Sequence, residues 1–314
     1  MRRPGKLSAE QLGFNLCFAS VSITLTQLRS FLAVVRGGSV TAAADALVVT
    51  QPSVSAAVTA LSREVGVKLL ERDGRGVRPT PAGREFAAYA ADVVGLLEQG
   101  RRAAGEAEGR VGRELRIAAV TTAAESFVPP IMRAFQSTRP HIGLRLEVGN
   151  RDGVLAMVLG HDADVAVGGN PPRDGRIEAH AIRPNRLVLI AAADDPLAGR
   201  GPVAAEALGG RTWLLREPGS GTRLANEAFL ADAGIEAETL TLGSNGAIRQ
   251  AARAGLGVSF VSRDAVVTEL DARLLGVIEV DPAPATRQWY AMRSSVGPAR
   301  AAVTEFMEFV APPG

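Results

Sequence analysis

The sequence predicts an α+β chain in two parts: a small helical domain with a β-hairpin, then a long helix leading into a larger, two-lobed α/β domain. Three observations predict it. Apolar residues recur at helical spacing over residues 24–105, short apolar strands alternate with helices after residue 113, and basic charge is concentrated at the front. Residues 1–80 hold ten basic side chains against five acidic ones, while the whole chain carries only +2. A basic first quarter on a slightly acidic body points to one domain that meets a polyanion.

The 314 residues allow two or three domains, each with its own core. Cys17 is the single cysteine, which excludes intramolecular disulfides and cysteine-based zinc sites. His141, His161 and His180 share no metal-ligand spacing, so no metal and no cofactor is expected. No run of about 18 apolar residues occurs, so no membrane span is expected and the chain reads as cytoplasmic. Arg2, Arg3 and Lys6 precede an apolar stretch, Leu12 to Leu25, that superficially resembles a signal peptide. Asn15, Ser20, Ser22 and Thr24 interrupt it and no cleavage pattern closes it, so residues 1–23 read as a disordered extension. Val21 can be encoded by the alternative start codon GTG, which would place the native start there.

From Thr24 the pattern is regular. Thr24 caps a helix with Leu28, Phe31, Leu32 and Val35 on one face, and Gly37-Gly38 ends it. Ser39 caps a short helix, Val40 to Leu47. Thr50 caps a third, with Pro52 in its first turn, an apolar stripe of Val54, Val58, Leu61 and Val65, and Gly66 as its stop. Two short helices joined by a three-residue turn form a helix-turn-helix, a double-stranded DNA reader whose third helix enters the major groove. Gln51 can pair with adenine, while Ser39, Thr50, Pro52, Ser53, Ser55, Thr59 and Arg63 complete the expected face. A plain three-helix bundle is the alternative. Leu69 to Pro81 reads as strand, turn, strand: a wing whose Arg72, Arg75 and Arg78 meet phosphate or the minor groove. This DNA-binding domain is set at residues 24–80.

The runs Leu25-Thr26-Gln27-Leu28-Arg29-Ser30-Phe31, Gly38-Ser39-Val40-Thr41-Ala42-Ala43-Ala44 and Thr50-Gln51-Pro52-Ser53-Val54-Ser55 resemble the signature of LysR-type transcription regulators. So do the stretch Leu61 to Arg72 and Thr80-Pro81-Ala82-Gly83, collinear over about 60 residues. One departure is Ala56-Ala57, where the family often has a basic residue and Gln; the exposed face is then small, suited to thymine methyls, with DNA shape and the wing adding specificity. The resemblance implies a winged helix-turn-helix that activates or represses promoters, with RNA polymerase as a further partner.

From Pro81 to about Gly105 one helix pattern carries Phe86, Ala90, Val93, Val94 and Leu97 on one side. It either packs on its own domain or, as the resemblance implies, pairs as a linker helix (residues 81–112). In that case Phe86, Ala90, Val93 and Leu97 make a homodimer, and dimers of dimers give a homotetramer.

Residues 113–314 alternate strands and helices in the manner of parallel α/β domains. Strands are expected at Leu115–Val120, Leu144–Val148, Val165–Gly168, Leu187–Ala192, Trp213–Leu215, Thr239–Leu242 and Val258–Val261. Helices fit at about 126–138, 151–160, 222–233, 245–254 and 299–310. The domain resembles the LysR effector domain, itself similar to periplasmic solute-binding proteins. Lobe one is then residues 113–187 and 288–314, and lobe two 188–287. Ligands of such sheets sit at strand ends beside helix starts. Thr121, Thr122, Gly168, Ser220, Gly221, Thr222, Arg223, Ser244 and Asn245 take those positions, as an anion cradle or merely as caps and turns. The implied effector is small and anionic. Glu147 to Arg151 and Gly168 to Pro172 look similar to regulators of carbon-fixation operons, whose effectors include phosphorylated sugars and related anions.

No phosphate loop with Lys, no GxSxG elbow and no metal pair is present, so no catalytic residues are assigned and the chain does not read as an enzyme. A solute-binding protein would explain the lobes, but it needs export and leaves residues 24–105 idle. Peroxide sensing needs a sensor cysteine that this sensor does not have.

Overall fold

The computed structural model describes residues 22–74, 76–109 and 112–311. The expectations placed on residues 1–21 and on Arg75 lie outside the described residues. The chain divides into two compact units, Met1–Ala90 and Ala91–Gly314.

In the first unit α1 (Leu25–Gly37), α2 (Val40–Leu47) and α3 (Gln51–Val65) pack around Phe31, Val34, Ala43, Ala44, Val54 and Leu61. Thr24 does more than cap α1. Its hydroxyl accepts from the Gln27 N–H while the Gln27 Oε1 takes the Thr24 N–H at 2.7 Å, a reciprocal capping box. Ser39 and Thr50 accept from the Ala42 and Ser53 N–H as simple caps, with no return bond from the third residue to their own N–H. Strands β1 (Leu70–Asp73) and β2 (Gly76–Pro79) form the antiparallel wing, which is pinned to the helices by the Val77 N–H donating to the Gly38 carbonyl at 2.8 Å. Next comes α4 (Pro81–Ala107). The Thr80 hydroxyl accepts the Gly83 N–H and donates to the Lys68 carbonyl, and a β-carbon at Gly83 would overlap the Leu69 carbonyl. The Thr80–Gly83 run is therefore a packing requirement at the helix entry.

The second unit begins within α4. Its first lobe runs through β3 (Arg113–Val120), α5 (Thr121–Glu125), α6 (Val128–Thr138), β4 (Ile142–Gly149), α7 (Arg151–Leu159), β5 (Val165–Gly169) and β6 (Ile177–Asn185). The second lobe contains β7 (Leu187–Ala192), β8 (Val203–Ala204), β9 (Trp213–Arg216), α8 (Gly221–Asp232), β10 (Thr239–Leu242) and α9 (Asn245–Arg253). It closes with β11 (Ser259–Ser262), α10 (Val267–Asp271), β12 (Leu275–Ile278) and β13 (Val280–Asp281). The chain then returns to lobe one as β14 (Arg287–Ser294) and α11 (Ala301–Val310).

Strand order in lobe one is β4-β3-β5-β14-β6. Leu115, Ile117 and Ala119 bury one face of this sheet with Phe135 and Phe306, while Ala118 and Ala166 bury the other with Val154, Val158 and Met292. Lobe two repeats the arrangement with Leu189, Phe260 and Trp213 on one side and Ile190, Leu214 and Ile248 on the other.

The sheets are mixed, which corrects the expectation of parallel ones. Strands β3, β4 and β5 are parallel, but β14 pairs antiparallel with β5 and β6, and β7 pairs antiparallel with β11 and β12. The reason is the path: β7, entering lobe two, and β14, returning to lobe one, run against the strands they join. Strands β6 and β12 had no clear alternation to announce them. β6 is an edge strand that tolerates Pro184, as edges do. The helix expected at about 126–138 is α6, which starts at Val128 with Pro129-Pro130 in its first turn, and the short α5 before it was not expected. No single described helix is long and apolar enough to cross a membrane.

Candidate functional site

Two sites emerge, one in each unit. In the first unit Gln51, Pro52, Ser53, Ser55, Thr59 and Arg63 are all exposed on α3, on the side away from Val54 and Leu61. Thr50 and Ser53 share a 2.8 Å hydroxyl–hydroxyl bond at the helix head, and Ser39 is occupied in capping α2. On the wing Arg72 is exposed and has no partner among the described residues, whereas Arg78 is paired with Glu71 at 2.9 Å across the hairpin. An exposed pair of this kind is weak enough to exchange its carboxylate for a phosphate. Along α4, Phe86 packs on Phe31 (ring centroids 5.7 Å apart) and Ala90 is buried, so both are taken up by the fold itself. Val93 and Leu97 are about half exposed, and Tyr89 beside them is more so.

In the second unit a cleft open to solvent lies between the lobes. Thr121, Thr122, Ser220, Gly221, Thr222 and Asn245 line it, as the sequence placed them. Thr122 and Asn245 are joined across it: the Asn245 Nδ2 donates to the Thr122 Oγ1 at 2.8 Å, and the Asn245 Oδ1 accepts from the buried Arg216. Arg216 also holds both oxygens of Glu217, whose carboxyl burial alone would raise but which Arg216 keeps below its usual value. A second tie between the lobes is the Asp152 N–H donating to the Gly219 carbonyl at 3.2 Å. The N-terminus of α8 has no side-chain cap, which leaves its first amides and the Ser220 hydroxyl directed at the cleft.

Three of the expected residues are placed elsewhere. Arg223 turns away from the cleft to Glu227 (2.7 Å), the Arg216 carbonyl and Thr241. Ser244 accepts the Ala247 N–H as the cap of α9. Gly168 is buried against Met292 and Val120, and it is Gly169 and Asn170 that reach the cleft.

Sequence reasoning missed Asn185, Ser262, Arg216, Arg287 and Trp289, which also line the cleft. Arg287 matters most. It is half-buried with no ion-pair or hydrogen-bond partner among the described residues, and burial lowers its pKa. A guanidinium nevertheless stays charged at neutral pH, so an unmatched cation faces the cleft. The signal available was its position: the two crossing strands must pass the floor of any cleft between two lobes.

Among the described residues no cluster of His, Cys, Asp or Glu could hold a metal ion. Residues 25–84 match the model of the bacterial regulatory helix-turn-helix protein, lysR family, and residues 108–312 match the LysR substrate binding domain. A "RuBisCO operon transcriptional regulator" of Allochromatium vinosum is 38% identical over 292 residues, 91% of this chain and 95% of that protein. The CcmR regulatory domain of Synechocystis PCC6803, solved in complex with 2-PG, is 30% identical with a TM-score of 0.60, over 63% of this chain and 95% of that one. The full-length LysR family regulator CbnR shares the fold over 91% of this chain and 98% of its own, at 24% identity and TM-score 0.58. A helix-turn-helix model on residues 25–84 leaves no room for the solute-binding reading. The chain belongs to the LysR family: it is a DNA-binding transcription regulator with a two-lobed effector-binding domain.

Proposed function

We propose that this regulator answers to a small anionic metabolite bound between its lobes, and that its target is a carbon-fixation operon like that of the Allochromatium relative. The observation that carries the ligand class is Arg287, a half-buried guanidinium with no anion of its own in a cleft rimmed by the free amides of α8. The 2-PG held by the Synechocystis regulatory domain supports the same class. On this reading the protein works in the cytoplasm as a homodimer or dimer of dimers on double-stranded promoter DNA, meets RNA polymerase there, and catalyses nothing.

Calorimetric titration of the full-length protein with 2-PG and with inorganic phosphate tests the ligand class. The wild type should bind at least one of them. Arg287→Ala should weaken that binding by about tenfold or more, with Arg287→Lys in between. Equal binding by Arg287→Ala and wild type sinks the reading.

A further inference from the structure

Beside Arg287 the cleft wall holds a second group that its surroundings leave unmatched. Asn185 ends β6 directly opposite Arg287, which begins β14, and both line the cleft. Residues opposite one another in an antiparallel pair share a face of the sheet and stand side by side. Asn185 is only 7% exposed, and its Oδ1 is shut off from solvent without accepting a hydrogen bond. Its side-chain nitrogen donates no hydrogen bond among the described residues either. Buried amides are normally paired, so an idle one in the wall of a binding cleft is an acceptor waiting for a donor.

The two groups make a complementary pair: a fork of cationic donors next to one neutral acceptor. A plain anion satisfies Arg287 alone. A molecule with a hydroxyl one or two bonds from its anionic group satisfies both, because the hydroxyl hydrogen can go to Asn185 while the anionic oxygens take the guanidinium. Rotation of the amide about its last torsion swaps oxygen and nitrogen without moving the backbone, so the oxygen can face the ligand. We propose that Asn185 is the specificity-determining residue of the cleft and selects a hydroxylated carboxylate or phosphate ester over the same anion lacking the hydroxyl. This rests on the reading of the cleft as an anion site centred on Arg287.

The test uses full-length protein and two pairs of probes that differ in hydroxylation: malate against succinate, and glycerol 3-phosphate against propyl phosphate. Affinities are measured by calorimetry for the wild type, Asn185→Leu, Asn185→Asp and Arg287→Ala. In the wild type the hydroxylated member of at least one pair should bind about tenfold tighter or more. Asn185→Leu should reduce that preference to within about twofold, since only the hydroxylated probe loses an acceptor and the deoxy probe never used the amide oxygen. Asn185→Asp, which keeps an acceptor, should retain the preference and weaken every probe through its charge. Asn185→Ala, which removes the acceptor without adding apolar bulk and should lose the preference in the same way, carries the test if the leucine variant fails to fold. A wild type without preference, or an Asn185→Leu protein that keeps it, overturns the assignment of Asn185 and leaves the anion site standing. Binding that Arg287→Ala does not alter, or no binding of any probe at millimolar concentration, overturns the anion site and this inference with it.

Discussion

Gly95 on α4 lies flat against His161, so close that a β-carbon on the glycine would overlap the imidazole. The His161 ring is held at both nitrogens, Nδ1 by the Gln99 side-chain amide at 2.9 Å and Nε2 by Asp92 at 3.0 Å. Arg176 grips the same Asp92 through both oxygens. The later turns of α4 are therefore built into lobe one, and a glycine in mid-helix, normally unfavourable, is what admits them.

Two glycines on this helix should respond in opposite ways. Gly95→Ala should destabilise the protein by about 1–3 kcal/mol, because overpacking against a buried ring outweighs the better helix propensity of alanine. Gly100→Ala meets nothing within contact distance and should stabilise by about 0.5–1 kcal/mol. Denaturant melts of both variants decide it, and a stabilised Gly95→Ala would refute the tight docking.

A buried charge cluster predicts a pH effect. Asp164 accepts from Arg116 through both oxygens and from Arg300 at 2.6 Å. Burial alone would raise its pKa, but the two arginines outweigh burial and hold it below the usual carboxylate value. A depressed folded-state pKa contributes stability that is complete above the unfolded value of about 3.9 and is lost as pH falls through the folded one. Asp164→Asn should thus cost about 3–5 kcal/mol at neutral pH by leaving both arginines under-paired. The gap from wild type should narrow below about pH 4. A gap that stays constant from neutral pH into that acid range would contradict the assignment.

On DNA, Gln51→Ala should lose about 1–3 kcal/mol on the specific site and relax base preference at one position. Arg72→Ala should weaken all sequences alike and reduce the salt slope by about one. Gel-shift titrations against specific and scrambled duplexes separate the two. If Gln51→Ala keeps its preference, α3 is not the base reader.

For assembly, Val93→Glu combined with Leu97→Glu should yield monomers with weakened DNA binding. Both side chains are exposed, so the fold itself should tolerate the charge. Light scattering that finds the wild type monomeric at micromolar concentration removes the idea.

Legibility followed the range of the interactions. Ser39, Thr50 and Gly66 bound their helices because caps and stops act within four residues, and the Thr80–Gly83 turn announced its helix in the same way. The helix-start residues of the cleft were legible for that reason too. Arg223 misled because nearness in sequence says nothing about direction, although Glu227, one turn later, already offered it a partner. Arg287 and Asn185 could not be found locally. Their meeting depends on two strands about 100 residues apart becoming neighbours, a consequence of topology that no window of sequence contains.

Asn185 and Arg287 also stand where the chain passes between the lobes, only Arg186 separating β6 from β7. Such a position is a fulcrum. When two bodies swing about it, groups at the pivot travel least, and contacts there keep nearly the same strength in every posture. A ligand shifts an equilibrium only by its difference in affinity between the two states. The pivot can therefore decide which molecule is held while contributing little to the switch that molecule throws. Switching falls to contacts away from the pivot, where the buried Thr122 already holds Asn245 and a newcomer must either join that handshake or break it.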